Sequence, residues 1–162
     1  MPLTVAVTVY FLFVLMTADI VRRRTAVEAF LVVVLFVLCA LGEVLNITRY
    51  HATAYPGIPG FPLYIVTGGA LLGWGLFRLT VFAARRLGKD TVLFRFAVFL
   101  LLSSSFPLIE ISGVTAGLWY WLKPCSYTSV WWITGVWKFY MSFMGIPVMI
   151  ALCFQKKCKS PE

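Results

Sequence analysis

Residues 31–42 read LVVVLFVLCALG, and no charged side chain interrupts them. They form the centre of an apolar run that extends from residue 26 to about residue 47. A stretch of about 20 apolar residues is long enough to cross the hydrocarbon core of a bilayer as a helix. This run therefore predicts a transmembrane helix.

Four further runs have the same character, and the composition of the whole chain agrees with them. Hydrophobic residues make up 61% of the 162 positions and charged residues only 12%, and the mean hydropathy is +0.92. A water-soluble fold of this size could not cover so much apolar surface. We predict an all-α, polytopic membrane bundle that forms one transmembrane domain over residues 1–162. Its helices are expected at residues 3–21, 26–47, 61–84, 91–110 and 130–154.

The basic residues predict an orientation. The net charge is +8, and the Lys and Arg residues cluster at the ends of apolar runs instead of forming a nucleic-acid reading motif. One set of helix ends carries nine of them, at residues 22–24, 85, 86, 89, 156, 157 and 159, whereas the opposite loops carry Arg49 and Lys123. Because cytoplasmic loops are enriched in Lys and Arg, we expect the N-terminus outside and the C-terminus in the cytoplasm. Membrane lipid is the expected partner, and nucleic acid is not.

A weak internal repeat accompanies this pattern. GFPLYI at residues 60–65 and GIPVMI at residues 145–150 each follow a helix that ends in Glu. Helices 2 and 3 and helices 4 and 5 could thus be duplicated hairpins, and chance similarity in an apolar sequence explains the likeness equally well.

Two carboxylates are the leading catalytic candidates. A carboxylate at membrane depth is costly, by about 2.5 to 3.5 kcal/mol at a helix centre, so an intramembrane acid indicates function. Glu43 and Glu110 each come late in a predicted helix, and both are expected in the outer half of the bundle. Burial there favours the protonated form that a general acid needs. The alternative is that each lies at the interface, where it pairs with Arg49 or Lys123 or caps its helix.

Further polar and aromatic side chains could bind a substrate. Asn46, Arg49 and Tyr50 follow Glu43 closely, and on a continuing helix Glu43, Asn46 and Tyr50 would share a face. Lys138 could pair with one of the two carboxylates, although snorkelling to the outer interface is the simpler interpretation. With His51 as the single histidine, no His-based metal site is expected, and no metal or disulfide framework is visible among the four cysteines.

Aromatic residues are concentrated in the same outer region. Trp119 and Tyr120 belong to the segment GLWYWLKP, which starts at residue 117. Their rings could stack against an extended polyene or isoprenoid, and an interfacial aromatic belt has the same composition.

Several of these segments together resemble the membrane-embedded carotenoid biosynthesis proteins that include carotenoid hydratases. The likeness covers about 100 residues. It is carried by Glu43 with the NITRY that begins at Asn46, PLYI at residues 62–65, GWG at residues 73–75, Glu110 with GLWYW at residues 117–121, and GIP at residues 145–147.

The resemblance implies addition of water across a terminal double bond of a lipophilic polyene, a hydro-lyase activity without a redox cofactor. Glu110 or Glu43 would protonate the alkene, the faces of Trp119 and Tyr120 would stabilise the carbocation, and the second carboxylate would orient water. The alternative is a non-catalytic membrane subunit, or a homo-oligomer, whose glycine-rich third helix and aromatic belt pack against partner proteins. A small transporter or channel fits least well, because the polar residues crowd toward the helix ends.

Overall fold

The computed structural model describes residues 2–44, 50–52, 63–117, 119–121 and 129–155. Five helical spans lie in these ranges, and each is long and apolar enough to cross a membrane. They are Leu3–Arg23, Ala26–Val44, Leu63–Arg86, Val92–Thr115 and Val130–Phe154. The predicted all-α bundle of five transmembrane helices is confirmed, and the chain is a multi-pass membrane protein.

The first three spans are single helices, and the last two are interrupted. The single helices are α1 (Pro2–Arg23), α2 (Ala26–Val44) and α3 (Leu63–Arg86). The fourth span consists of α4 (Val92–Ser103) and α5 (Phe106–Thr115). The fifth consists of α6 (Val130–Tyr140), a π-helical segment (Met141–Gly145) and α7 (Ile146–Phe154).

The fourth span extends five residues beyond the predicted end at residue 110. Its interruption has a local cause, because the hydroxyls of Ser103, Ser104 and Ser105 all donate to carbonyls three residues earlier. Pro107, in the first turn of α5, has no N–H to continue the ladder. As a result, Glu110 lies in the middle of α5 and not at the end of a helix.

The third helix is the centre of the bundle. It packs against α1, α2, α4 and α7, and its residues Ala70, Phe77 and Val81 belong to the main hydrophobic core. Two of its glycines allow α2 to approach closely. A Cβ atom added to Gly69 would lie 2.6 Å from the Sγ atom of Cys39. One added to Gly73 would lie 2.6 Å from a terminal carbon of Leu35.

Ion pairs gather one set of helix termini into what we call the basic end of the bundle. Buried Glu28, at the start of α2, pairs with Arg23 of α1 and with Arg78 of α3. Arg95, at the start of α4, is also buried and pairs with Asp90 at 2.6 Å. The Nη1 atom of Arg95 donates to the carbonyl oxygens of Leu152 and Gln155, where α7 ends. Arg78 and Arg95, two arginines inside predicted apolar runs, thus both make ion pairs.

The opposite end carries a short two-stranded ribbon, and we call it the ribbon end. Strand β1 (Tyr50–Ala52) pairs antiparallel with β2 (Trp119–Trp121), so that His51 lies opposite Tyr120. The ribbon is a small addition to the helical fold that the sequence did not predict. It joins the connection between the second and third spans to the connection between the fourth and fifth.

The outer surface of the spans is apolar. Large side chains such as Phe11, Phe30 and Leu101 are more than 60% exposed. Contiguous apolar surface of this kind needs lipid around it and not water.

Candidate active site

A cavity of about 270 Å³ opens between the helices toward the ribbon end. Residues from α1, α2, α3, α5, α6 and the π-helical segment form its wall, which is mostly apolar. Its polar lining groups are the side chains of Cys39, Glu43, Tyr64 and Tyr140. Its apolar lining includes Val5, Val9, Leu38, Ile65, Leu72, Ile109, Phe139, Phe143 and Met144, together with Gly42, Gly68 and Gly69. An apolar pocket with a few polar groups is the usual form of a site for a lipophilic ligand.

Glu43 reaches this cavity because of its helical phase. Leu38, Cys39, Gly42 and Glu43 line the wall together, and residues at this spacing lie on one face of a helix. Glu43 belongs to the last turn of α2, where its side chain is half-buried. Glu43 therefore belongs to the cavity wall at its ribbon end.

Glu110 does not line the cavity, but it accepts a hydrogen bond from a tyrosine that does. Its side chain is buried, and its Oε2 atom accepts a 2.6 Å hydrogen bond from the hydroxyl of Tyr140. The Tyr140 ring stacks on Phe106 with their centroids 5.0 Å apart. Hydrogen bonds to carboxyl groups of this length are among the stronger ones in proteins, so α5 fixes the position of the Tyr140 phenol.

Tyr140 relates the two carboxylates to each other. Its hydroxyl donates to Glu110, and its ring lines the same cavity as Glu43 and Cys39. The structure thus places Glu43 in the cavity wall and Glu110 directly behind it, and it adds a phenol that sequence analysis did not single out.

The π-helical segment directly follows Tyr140. A wider turn of this kind is rare, and such turns occur frequently at functional sites. Pro147 supplies a cause, because its ring nitrogen cannot donate to the carbonyl one turn earlier. Phe143 and Met144 from this segment line the cavity next to Phe139 and Tyr140. The sequence signal was the Gly145-Ile146-Pro147 motif, which predicts a local break but not its π-helical form.

The other predicted binding residues fall in three groups. Asn46 and Arg49 lie outside the described residues. Tyr50, Trp119 and Tyr120 lie in the ribbon, where backbone pairing sets Tyr50 opposite Trp121. The two segments that were predicted separately to bind a substrate are thus neighbours at the ribbon end of the bundle. The described structure covers their backbone, and their side chains are outside it.

Lys138 occupies a different position from the carboxylates. Its side chain is exposed on α6, and it does not line the cavity. Among the described residues, no ion pair joins it to Glu43 or Glu110. Its placement agrees with a side chain that snorkels to an interface.

The described ranges contain no cluster of three or more His, Cys, Asp or Glu side chains that could hold a metal ion. Sequence analysis also passed over Glu28, a buried acid that accepts hydrogen bonds from Arg23, Trp74 and Arg78. Its position at the start of α2, among basic helix ends, was the signal that could have identified it.

Comparison with protein-family models, with curated proteins and with solved structures found no match to this chain.

Proposed function

We propose that the cavity binds one end of a lipophilic polyene or isoprenoid, and that Glu43 protonates its terminal double bond in an acid-catalysed hydration. The observation that carries the proposal is the wall of the cavity, which is apolar and aromatic except for a few groups that include Glu43 and the Tyr140 phenol held by Glu110. This arrangement combines a binding site for a hydrocarbon with a source of protons.

The cavity volume supports binding of a chain end. A dry apolar cavity of roughly 150 Å³ holds one benzene ring, and pockets for complete drug-sized ligands begin at about 300 Å³. At about 270 Å³, this cavity has room for one or two isoprene units. The remainder of a long polyene would lie in the surrounding lipid.

The proposed reaction conserves atoms and electrons without a redox partner. Neutral Glu43 gives its proton to one carbon of the terminal double bond, whose electron pair forms the new C–H bond and leaves a tertiary carbocation. A water oxygen donates an electron pair to that carbocation, and the resulting oxonium returns a proton to the Glu43 carboxylate. The product is a tertiary alcohol, and Glu43 is restored.

The surrounding side chains have distinct roles in this scheme. The rings of Phe139, Tyr140 and Phe143 line the cavity, and their faces would stabilise the carbocation. Glu110 is a positioning residue, because it acts through the Tyr140 hydroxyl. Trp119 and Tyr120 in the ribbon would contact the part of the ligand that leaves the cavity.

We further propose that the ribbon end faces outward and the basic end faces the cytoplasm. The support is the distribution of Lys and Arg, which favours the cytoplasmic side for the helix ends at Arg22, Arg23, Arg85 and Arg86. The proposed chemistry would then take place near the outer interface, where water can reach the carbocation.

A non-catalytic subunit is the competing function. Such a subunit would use the four glycines of α3 to pack against partner proteins. Three of the four already face neighbouring side chains within the chain. Added Cβ atoms would meet Val9 at Gly68, Cys39 at Gly69 and Leu35 at Gly73, whereas Gly75 faces open space. This internal use of the glycines favours the ligand-binding cavity over a partner interface.

The direct test is to purify the protein from cells that make polyenes and to extract its bound lipids for absorption and mass spectrometry. The proposal predicts a polyene or isoprenoid in roughly stoichiometric amount, and a Gly68→Leu variant that fills the cavity should lose it. Ordinary phospholipid as the sole bound lipid, together with stable co-purification of a larger complex, would favour the subunit.

A further inference from the structure

A second cavity lies at the basic end, remote from the proposed active site. It has a volume of about 390 Å³. Its charged and polar lining consists of Glu28, Arg78, Arg85 and Gln155, and Leu79 and Phe82 belong to its apolar lining. The proposed hydration uses none of these residues.

The one carboxylate in this cavity is already neutralised. Both oxygens of Glu28 accept hydrogen bonds from Arg23, at 2.9 and 3.0 Å. The Trp74 indole and Arg78 also donate to Glu28, at 2.7 and 3.1 Å. Because Glu28 is this fully paired, it does not repel an anion that enters beside Arg78.

The two cavity arginines remain accessible despite their ion pairs. The Arg78 side chain is 45% exposed and the Arg85 side chain is 37% exposed. The carboxylate near Arg85 is Asp90, whose closer partner is Arg95. In the described ion-pair network at this end, five arginines share three carboxylates, which leaves an excess of two positive charges.

Apolar surface adjoins this positive charge. Arg78, Phe82 and Arg85 are spaced i, i+4 and i+7, so they lie along one face of α3. Phe82 is 65% exposed and Leu79 is 48% exposed. A free anion gains nothing from such surface, whereas a phospholipid can lay its acyl chain on it while its phosphate meets the guanidinium groups.

We propose that this second cavity is a binding site for the headgroup phosphate of an anionic phospholipid. Arg78 and Arg85 bind the phosphate oxygens, and Leu79 and Phe82 contact the first part of an acyl chain. Guanidinium groups suit phosphate because they present paired donors in one plane. Basic pockets between transmembrane helices are known to bind anionic headgroups.

The test is a lipid titration of the purified full-length protein in detergent, followed by native mass spectrometry. The probes are phosphatidylglycerol, phosphatidylcholine and inorganic phosphate. We expect phosphatidylglycerol to bind several-fold more tightly than phosphatidylcholine, and inorganic phosphate at millimolar concentration not to displace it. Equal binding of the two lipids would overturn the proposal, and displacement by phosphate would assign the site to a soluble anion.

Two neighbouring arginines give a matched pair of variants. Arg85→Gln removes a cavity guanidinium and leaves the Glu28 network intact, whereas Arg86→Gln removes an exposed arginine that does not line the cavity. Arg85→Gln should weaken phosphatidylglycerol binding by roughly five-fold, the effect of one basic residue near a lipid surface, and Arg86→Gln by less than about two-fold. Equal losses in both variants would show general surface attraction and contradict a defined site.

Discussion

The Tyr140 hydroxyl donates a 2.6 Å hydrogen bond to Glu110, and the Tyr140 ring forms part of the cavity wall that includes Glu43. Tyr140 thereby links a carboxyl group that is buried in the bundle to one that lines the proposed binding site. Because of this link, substitutions at Glu43, Glu110 and Tyr140 should have different effects.

Removal of the Tyr140 hydroxyl should disturb the site without changing its shape. Tyr140→Phe keeps the ring that stacks on Phe106 and takes one donor from buried Glu110. We expect the free energy of unfolding to fall by about 1–3 kcal/mol and turnover to fall by roughly ten- to a hundred-fold. Thermal unfolding and polyene conversion measure the two effects. Tyr10→Phe, in α1 and outside the cavity lining, is the control and should change neither.

Replacement of Glu43 should remove chemistry and spare binding. Glu43→Gln keeps the size of the side chain and removes the transferable proton, so conversion should fall by at least about 100-fold. The amount of co-purified polyene should stay close to that of the unmodified protein. If the variant instead lost the ligand and converted any residual substrate normally, Glu43 would be a binding residue only.

The same comparison distinguishes Glu110 from Glu43. Glu110→Gln should slow conversion less than Glu43→Gln, because Glu110 acts through Tyr140 and does not line the cavity. In the double variant Glu110→Gln/Tyr140→Phe, the two losses should be much less than additive, since both act on the hydrogen bond between these two residues, which Gln weakens and Phe removes. Additive losses would show that Glu110 works independently of the phenol.

A glycine substitution can close the cavity. A Cβ atom on Gly68 would meet Val9 at 3.8 Å, an ordinary contact, so Gly68→Leu adds volume beside the ligand without a backbone clash. Binding of the polyene should be lost while the bundle remains folded. Gly75→Leu is the matched control, because Gly75 faces open space on the same helix and does not line the cavity. Equal binding by both variants would place the ligand elsewhere.

A low pH should destabilise the basic end of the bundle, because protonation of Asp90 removes the charge that pairs with Arg95. The hydrogen bond from Arg95 lowers the pKa of Asp90 below its usual value, and partial desolvation opposes this effect. Since the pKa is lower in the folded state, the stabilisation is complete above the unfolded pKa of about 3.9 and is lost as the pH falls through the folded value. Asp90→Asn should therefore lower the melting temperature at pH 7 and flatten its dependence on pH below about 4. If the melting temperature of Asp90→Asn depended on pH as that of the unmodified protein does, Asp90 would not be the group responsible.

Hydropathy was sufficient to predict the five spans, because a bilayer imposes a minimum length and an apolar surface on every helix that crosses it. The interruptions of the last two spans could not be placed from periodicity. They depend on how Ser103, Pro107 and Pro147 reroute backbone hydrogen bonds, which hydropathy does not record. The β1–β2 pairing was likewise missed, since it joins segments about 70 positions apart.

Only part of the candidate site could be predicted from the sequence. Intramembrane carboxylates are conspicuous in an apolar sequence, so Glu43 and Glu110 were identifiable at once. Tyr140 was not, because one tyrosine among many aromatic residues has no distinguishing pattern until α5 and α6 pack together. The buried pairings of Glu28 and Arg95 also became visible only when the helix ends were assembled. The resemblance to carotenoid hydratases contributes the proposed chemistry, which remains a prediction.

The most direct test of the central proposal is to incubate the purified protein with an acyclic polyene in heavy water and to analyse the product by mass spectrometry and NMR. Protonation by Glu43 followed by hydration predicts a tertiary alcohol with one deuterium bound to the adjacent carbon, and loss of this product in Glu43→Gln. If the folded protein leaves the polyene unchanged, or if Glu43→Gln forms the deuterated alcohol at the unmodified rate, the proposed function is wrong.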